Sequence, residues 1–295
     1  FTILVLFSPL LYFFFILING VGIRKEILLF VFYLWYLINI SSRNFNNNDL
    51  WKFIFIFPVL LFIHEGIFFY LPYIFLPILL IKKKEEYKNF IPHFSVLIFT
   101  SILSMIIIYF FNGSEKNTFE ICQSLKTYTP IGCLERGPIF ALKNDILKDQ
   151  ANNSMLFFYL DASFISWLGY LIYVIYSFIP LILLFKFAVI KNKFSYIIIY
   201  FFIIIFSLPL FHVAEDWSRW FSIHIHLTVF LIFFLQNNKI IKYKISINSK
   251  KINDFFMKKK VLFFLLLFSY CTLFHHEEYF SKDTKLELTY YKIFS

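Results

Sequence analysis

The sequence predicts an all-α fold, a polytopic bundle of about eight transmembrane helices, and three observations lead to this class. Hydrophobic residues occupy 60% of the 295 positions. Charged residues occupy only 16%, whereas a soluble domain usually contains about a quarter. Several apolar runs also exceed the roughly 18 residues that are typical of a membrane-spanning helix. We therefore expect one transmembrane domain covering residues 1–295.

The first apolar run begins directly at Phe1, with no initiator Met before it. This start suggests a fragment of a longer chain. A cleavable signal peptide is the weaker interpretation, because no basic segment precedes the run and no small-residue cleavage site follows it.

Eight apolar runs are candidate helices. They cover residues 1–19, 26–40, 53–81, 91–112, 156–186, 194–211, 218–236 and 260–275. The second is short for a span, while the third and fifth exceed the roughly 20 residues that a bilayer requires. Tilting of these helices, or kinks at Pro58, Pro72, Pro77 and Pro180, would absorb the excess length.

The basic residues of the connecting loops predict the orientation. Alternate loops divide the Lys and Arg residues into a group of 17 and a group of 11. The richer loops are 20–25, 82–90, 186–193 and 237–260, and the poorer are 41–52, 113–155, 212–219 and the tail from 276. The richer set is predicted to be cytoplasmic, so the net charge of +10 reflects topology and contact with anionic lipid. Because no basic domain is present, no nucleic-acid partner is expected.

The 43-residue segment 113–155 is predicted to be the long external loop. Long loops are commonly functional, and this one has enough apolar residues for a re-entrant or interfacial helix. Cys122 and Cys133 lie eleven positions apart on the oxidising side, which makes them a candidate disulfide. Cys271 lies in an apolar helix and is predicted to be an inert thiol.

The third candidate helix contains two ionisable residues, His64 and Glu65, in the stretch FIHEGIFFYLP. An acid at the centre of a membrane helix costs about 2.5–3.5 kcal/mol on insertion scales. The pair therefore forms either an interhelical hydrogen bond or part of a functional polar cavity. Gly66 would let another helix approach closely. HEGIF lacks the second His of the HExxH motif, so the metalloprotease motif is excluded, and we predict no metal site and no cofactor.

The stretch FHVAEDWSRWFSIHIH, residues 211–226, concentrates polar residues at the start of the seventh helix. Spacings of three and four place one set of them on one helix face. This face carries Arg219, Ser222 and His226, joined by His212, Glu215 and Asp216 if the helix begins earlier. Ion pairs of Arg219 with Glu215 or Asp216 are one interpretation, but His226 lies deeper and is not needed for them.

Two tryptophans, Trp217 and Trp220, lie on an adjacent face of this helix with His224. Indole rings favour the membrane interface, so an aromatic belt explains both residues. Stacking of these rings on a sugar is the functional alternative.

An external Arg beside carboxylates and His fits a particular kind of chemistry. Arg binds phosphate in a bidentate manner and keeps its charge, and a carboxylate or His can accept a proton from an attacking hydroxyl. Both suit transfer of a group from a lipid-linked diphosphate. Arg219 would stabilise the leaving diphosphate, Asp216 or Glu215 would be the base, and Arg136 in the outer loop is a second phosphate candidate.

Three motifs resemble one family of bacterial membrane proteins. DWSRW at 216–220 resembles the DWGRW signature of polytopic O-antigen or capsule polymerase-like proteins, which are encoded among surface-polysaccharide genes. IHEGIFFYLP at 63–72 is similar to their HE-plus-aromatic helix, and IC at 121–122 with GC at 132–133 fits their external loop. The chain departs from the pattern at Ser218, where the family has Gly, and in its shorter length.

The resemblance implies growth of a glycan on undecaprenyl diphosphate, at the outer face of a bacterial plasma membrane. The implied partners are membrane lipid and a polyprenyl-diphosphate-linked glycan, with the polyprenyl tail among the helices. The candidate catalytic residues are Asp216, Glu215, Arg219, His64 and Glu65. The candidate substrate-binding residues are Arg136, His212, Trp217, Trp220 and His226.

Other classes remain open. A transporter or flippase would use the intramembrane His, Glu and Arg residues to line a pathway, although the chain has no paired internal repeats. A metal-dependent hydrolase would need His212 and Glu215 as ligands, with His64, His224 or His226 as the third. An acyltransferase using a His at membrane depth and a purely structural subunit are further alternatives. The sequence specifies neither the sugar and its linkage nor the oligomeric state.

Overall fold

The computed structural model is almost entirely helical over the residues that it describes, which confirms the all-α part of the prediction. The bundle of about eight transmembrane helices stays a prediction. The described residues are 25–42, 45–82, 84–111, 114–125, 188–189, 193–213, 217–243, 254–255 and 258–272, with single positions between 168 and 182. A two-residue antiparallel pair, β1 (Ala188–Val189) with β2 (Lys242–Tyr243), is the exception to the helical structure of these residues.

Eight α-helices lie in this part of the chain. They are α1 (Glu26–Ile40), α2 (Leu50–Ile63), α3 (Pro72–Ile81), α4 (Ile91–Phe110), α5 (Glu115–Leu125), α6 (Lys193–Val213), α7 (Trp217–Asn237) and α8 (Lys260–Thr272). Three 3-10 helices cover Asn47–Asp49, Glu65–Tyr70 and Lys84–Asn89. Helical positions between 168 and 182 fall inside the predicted fifth helix, while the predicted helix 1–19 lies outside the described residues.

Helices α1 and α2 form an antiparallel hairpin. Contacts along the whole length of the pair fix its direction. From one end to the other they join Lys52 to Asn39, Phe57 to Phe32 and His64 to Glu26. The loop between the helices is closed by a capping box, in which Asn46 and Asp49 each accept a hydrogen bond from the other's backbone N–H.

The long helix predicted over 53–81 is broken at His64, so the prediction of one span is wrong. His64 has extended backbone dihedrals, φ −157° and ψ 107°, and its side chain caps the following 3-10 helix by accepting from the Gly66 N–H. Pro72 then opens α3 at a position where its missing N–H costs nothing. Because a polar cap and a proline divide the apolar run, it folds as two short helices.

Helix α7 runs parallel to α1. Arg219 contacts Glu26 at the N-terminal ends of the two helices. Further along, the His226 ring stacks on Phe30 at a centroid distance of 4.5 Å. At the C-terminal ends the Asn238 amide donates to the Ser41 hydroxyl, 3.0 Å away. Contacts at both ends and in the middle therefore set the direction of the pair.

Helix α3 runs in the same direction as α7 and so reverses the direction of α2. The hydroxyl of Tyr70 donates to the Trp220 carbonyl, and the next turn places the Tyr73 hydroxyl beside His224 and Thr228. The segment 50–81 is therefore a helical hairpin that turns at His64. We call the end of the bundle that contains Glu26, His64 and Arg219 the site end, and the end that contains Ser41 and Asn238 the basic end.

Helices α4 and α6 run from the basic end towards the site end. Trp51 and His93 lie ring against ring where α2 and α4 both begin, and α4 also contacts the 3-10 helix Glu65–Tyr70 at the other end. Helix α6 is antiparallel to α7, since Tyr200 contacts Thr228 while Ser207 contacts His224.

The parallel course of α1 and α7 corrects the predicted loop arrangement. The sequence placed loops 20–25 and 212–219 on opposite sides, but the starts of α1 and α7, which these loops precede, are in contact. It also placed loops 41–52 and 237–260 on opposite sides, but the ends of α1 and α7, which these loops follow, are in contact too. Because of the turn at His64, residues 50–81 run along the bundle and back again, whereas the sequence-based assignment had this segment pass through the bundle once. Because 20–25 and 41–52 each carry two basic residues, exchanging them leaves the groups at 17 and 11. The charge count alone could not detect the error.

Two helices of the described chain are long and apolar enough to cross a membrane, Ile91–Phe110 and Arg219–Asn237. Three shorter apolar helices accompany them, Glu26–Ile40, Glu65–Ile81 and Ile199–Leu210. Helix α7 is mostly buried at the centre of the bundle, whereas α4 exposes most of its span. Large aromatic side chains fill the space between α1, α2, α3 and α7. Those that are fully buried include Tyr33, Tyr36, Phe53, Phe57 and Tyr73.

Candidate functional site

A buried carboxylate lies between two basic side chains at the site end. Glu26 Oε1 is 3.2 Å from His64 Nε2 and 3.4 Å from Arg219 Nε. The Glu26 side chain is only 3% exposed. A carboxylate out of water is costly by several kcal/mol unless it is paired and hydrogen-bonded. Here one oxygen faces both partners.

The ends of three chain segments bring these groups together. Glu26 is the first residue of α1, a position where the helix dipole favours a negative charge. His64 occupies the junction between α2 and the 3-10 helix. Arg219 lies in the first turn of α7. The site therefore depends on the turn at His64 and on the parallel pairing of α1 with α7.

The second ring nitrogen of the imidazole, Nδ1, lies near another carboxylate. His64 Nδ1 lies 3.7 Å from Glu65 Oε2 and accepts from the Gly66 N–H at 3.4 Å. The Glu65 side chain is 65% exposed. From these partners we assign the neutral His64 proton to Nε2, which donates to Glu26. A chain of contacts thus leads inward from the surface, from Glu65 through His64 and Glu26 to Arg219.

Trp220 packs against this cluster. Its ring lies 5.9 Å from the His64 ring, and the Arg219 guanidinium lies above it at 4.6 Å. A cation over an indole face is attracted by the ring quadrupole. A Cβ on Gly66 would lie 3.3 Å from Trp220 Cη2 and 3.1 Å from His64 Cε1. The glycine therefore allows the indole and the imidazole to lie close together.

The predicted aromatic-belt position of Trp220 is wrong, because the side chain is 2% exposed inside the bundle. His226 is also buried, stacked on Phe30 with its Nδ1 donating to the Ser222 carbonyl at 2.8 Å. Both residues contact protein in this conformation. Their predicted role in substrate binding stays a prediction.

A second polar cluster lies deeper in the bundle, between α3, α6 and α7. The Tyr73 hydroxyl contacts His224 Nδ1 at 3.0 Å and Thr228 Oγ1 at 3.1 Å. Ser207 lies 2.8 Å from His224 Nε2, and Thr228 donates to the Tyr200 hydroxyl at 2.9 Å. Each of these groups has a partner within the cluster. We interpret it as an interhelical hydrogen-bond network that fixes the packing of the three helices.

The structure brings three of the five candidate catalytic residues together, namely Arg219, His64 and Glu65. The other two, Asp216 and Glu215, lie outside the described residues. The same holds for Arg136 and for the side chains of His212 and Trp217. Their predicted roles therefore stay predictions.

Glu26 is the site residue that the sequence analysis missed. The signal was present, because an acid opens an otherwise apolar helix. The assumption of a single helix over 53–81 placed Glu26 at the opposite end from Arg219. Had that 29-residue run been divided at the polar pair His64–Glu65, the two residues would have been assigned to the same end.

The described part of the predicted outer loop is α5, which follows α4 at the site end. Cys122 in this helix is disulfide-bonded. The side chains of Cys133 and Cys271 both lie outside the described residues. The pairing of Cys122 with Cys133 and the re-entrant or interfacial character of the loop therefore stay predictions.

Among the described residues, no group of three or more His, Cys, Asp or Glu side chains could hold a metal ion. The ligands suggested for a hydrolase, His212 and Glu215, have side chains outside that part of the chain.

No protein-family model, no curated protein and no solved structure matches this chain. Over the described residues, the class that the fold and the cluster define is an α-helical bundle with a buried ion-pair cluster at one end, in which two of the described helices could span a membrane. The polymerase-like resemblance rests on the motifs at 63–72, 121–133 and 216–220, and it stays a prediction.

Proposed function

We propose that this chain is a polytopic membrane protein that transfers a glycan from a polyprenyl-diphosphate carrier at the outer face of a plasma membrane. One observation carries the proposal. His64 and Arg219, from different segments of the chain, lie against the carboxylate of Glu26 at one end of an apolar bundle, and Glu65 lies beside His64. A cation for phosphate and groups that accept a proton are the two requirements of this reaction.

The apolar exterior supports the membrane location. Helix α4 exposes a stripe of large hydrophobic side chains, and α6 exposes further ones. They include Phe99, Ile102, Leu103 and Ile106 on α4, and Phe201 and Phe202 on α6. The 21 residues of α7 give a length of about 31 Å at ~1.5 Å per residue, close to the ~30 Å hydrocarbon thickness of a bilayer. Arg219 at its start would then lie near the headgroups.

The basic loops support an outward-facing site. With loops 20–25 and 41–52 exchanged, the basic end still has 17 of the 28 Lys and Arg residues. Cytoplasmic loops carry this excess. We therefore place the basic end in the cytoplasm and the site end outside. Lys25 and Arg219 are both at the site end.

The proposed reaction assigns a role to each side chain. An acceptor hydroxyl attacks the anomeric carbon of the carrier-linked sugar, and the bond from that carbon to the diphosphate oxygen breaks. The diphosphate leaves with the electron pair and is stabilised by Arg219. The hydroxyl proton passes to His64 Nδ1 or to Glu65, both on the outward side of the imidazole. Asp216 and Glu215 remain alternative bases.

A transporter of lipid-linked or other anionic substrates is the second candidate. It is favoured by the break in the apolar segment at His64, because discontinuous helices with ionisable residues form the sites of many transporters. Purified protein in vesicles separates the two functions. Transfer forms new glycosidic bonds between lipid-linked glycans, whereas transport moves them across the membrane and leaves their length unchanged.

The test of the proposed function is Arg219→Ala in the native host, compared with Lys82→Ala. Lys82 forms a half-buried ion pair with Glu86 at the basic end, and its replacement is a matched loss of one cation. Arg219→Ala should abolish long-chain surface glycan at a normal protein level, and Lys82→Ala should leave it intact. Arg219→Lys should restore little, because an ammonium group lacks the bidentate geometry. Unchanged glycan in Arg219→Ala would overturn the assignment.

A further inference from the structure

We propose that Glu26 is a positioning residue, which holds the proton acceptor and the anion-binding residue of the site in one fixed arrangement. The inference rests on the proposed function and goes beyond it, because none of the three sequence motifs contains Glu26. The carboxylate would touch neither the donor nor the acceptor. It acts through His64 and Arg219.

The geometry on the imidazole side fixes a tautomer. His64 Nε2 lies 3.2 Å from Glu26 Oε1, which accepts its proton, and the Gly66 N–H donates to Nδ1. The lone pair of Nδ1 is then on the side of the exposed Glu65, and a proton taken there replaces the long 3.4 Å contact with the Gly66 N–H. A carboxylate behind an imidazole also stabilises the imidazolium that forms when Nδ1 takes a proton. Glu26 would thus make His64 an effective base.

The geometry on the guanidinium side fixes an orientation. Arg219 Nε faces the same oxygen at 3.4 Å, and the guanidinium is supported from below by the Trp220 ring. An Arg side chain has many rotamers, and holding it at two points reduces the entropy lost when a phosphate binds. The same oxygen of Glu26 therefore positions both the base, His64, and the anion-binding residue, Arg219.

Sharing one oxygen also couples the two partners. A diphosphate bound to Arg219 would compete for the guanidinium and weaken its contact with Glu26. More of the carboxylate charge would then act on the Nε2–H of His64, and it would stabilise the imidazolium that forms when Nδ1, on the opposite side of the ring, accepts the proton. The arrangement thus predicts that donor binding prepares the base before the acceptor reacts.

The burial of Glu26 is difficult to explain by stability alone. Replacing a buried ion pair by apolar residues of similar volume is often neutral or stabilising. Glu26 is 3% exposed, and most of its neighbours along α1 are apolar. An apolar residue at this position would be the simpler way to pack the helix start. The presence of an acid here fits a requirement for its charge.

The test compares Glu26→Gln with Glu86→Gln in the glycan-transfer reaction of the purified, membrane-reconstituted protein. Gln keeps the size of the side chain and removes its charge, and Glu86 supplies a control acid in a half-buried ion pair at the basic end. Loss of the group that supports a metal-bound His costs about 10- to 100-fold, and by analogy kcat of Glu26→Gln should fall by about that factor with KM nearly unchanged. Glu86→Gln should match the unmodified protein.

A spectroscopic readout separates positioning from a structural role. In the unmodified protein, ¹⁵N chemical shifts of neutral His64 should report the proton on Nε2, and Glu26→Gln should give a mixture of tautomers. The tautomer in the unmodified protein tests the proposal by itself, even if Glu26→Gln folds poorly. Retention of the fold in Glu26→Gln is checked by cross-linking cysteines at Ser41 and Asn238, whose side chains touch at the opposite end.

Three outcomes would overturn the positioning role. The first is an unchanged kcat in folded Glu26→Gln, and the second is a rise in KM with no change in kcat. The third is a proton on Nδ1 of the neutral His64 ring in the unmodified protein. The proposed function fails separately, if Arg219→Ala keeps full transfer activity. In that case the tautomer result still reports whether Glu26 orients His64.

Discussion

The amide of Asn238 donates a hydrogen bond to the Ser41 hydroxyl, 3.0 Å away, where α1 and α7 both end. At the start of the same two helices, Glu26 contacts Arg219. The helices are therefore parallel neighbours. This arrangement places the acid that opens α1 at the same end of the bundle as the DWSRW segment.

The first prediction concerns this pairing. Cysteines introduced at Ser41 and Asn238 should form an efficient disulfide or short thiol cross-link in a Cys271→Ser background, because the two side chains are in contact. Cysteines at Ser41 and Ser222 provide the control, since Ser222 lies near the other end of α7. The measurement is gel mobility after oxidation and reduction. Equal cross-linking of both pairs would contradict the parallel arrangement.

The second prediction concerns the helical hairpin 50–81. A cysteine at Lys25 should react with a membrane-impermeant maleimide from the same side as a cysteine at Lys116, which lies at the exposed start of α5. A cysteine at Asn48 should react from the opposite side. Labelling in right-side-out and inverted vesicles measures this. If Lys25 and Asn48 react from the same side, or if Lys25 and Lys116 react from opposite sides, the hairpin is wrong.

The third prediction concerns the buried network around His224. Tyr73→Phe removes the hydroxyl that joins His224 Nδ1 and Thr228 Oγ1, and it leaves one acceptor without its partner. The free energy of unfolding should fall by about 1–3 kcal/mol, the cost of an unsatisfied buried polar group. Tyr109→Phe is the matched control, because that ring is 70% exposed. Reversible denaturation in detergent or bicelles is the measurement, and equal stability of the two variants would refute the role of the network.

The fourth prediction concerns Gly66. In Gly66→Ala the added methyl group would lie 3.1 Å from His64 Cε1 and 3.3 Å from Trp220 Cη2, so one of the rings must move. The movement needed is a few tenths of an ångström, so glycan transfer should fall measurably, but by less than the ~100-fold that a displacement of about 1 Å causes. Ser101→Ala, a change at a buried residue of α4, should have little effect. Full activity in Gly66→Ala would show that the position of His64 is not critical.

The sequence by itself determined the helical class and the approximate bounds of α1, α4, α6 and α7. Long apolar runs leave few alternatives, because a helix satisfies every backbone hydrogen bond within its own segment. The sequence also singled out His64, Glu65 and Arg219, because ionisable residues are rare in such runs. Composition and local spacing carry that information without knowledge of any neighbour.

Only the tertiary structure decided which helix ends meet. The turn at His64 depends on local capping by a polar side chain, on Gly66 and on Pro72, and a hydropathy pattern averages over such features. The loops that exchange sides carry equal numbers of basic residues, so charge could not reveal the error. The role of Glu26 follows from the contact itself, because 193 residues separate it from Arg219 and side-chain partners at that separation are set by packing.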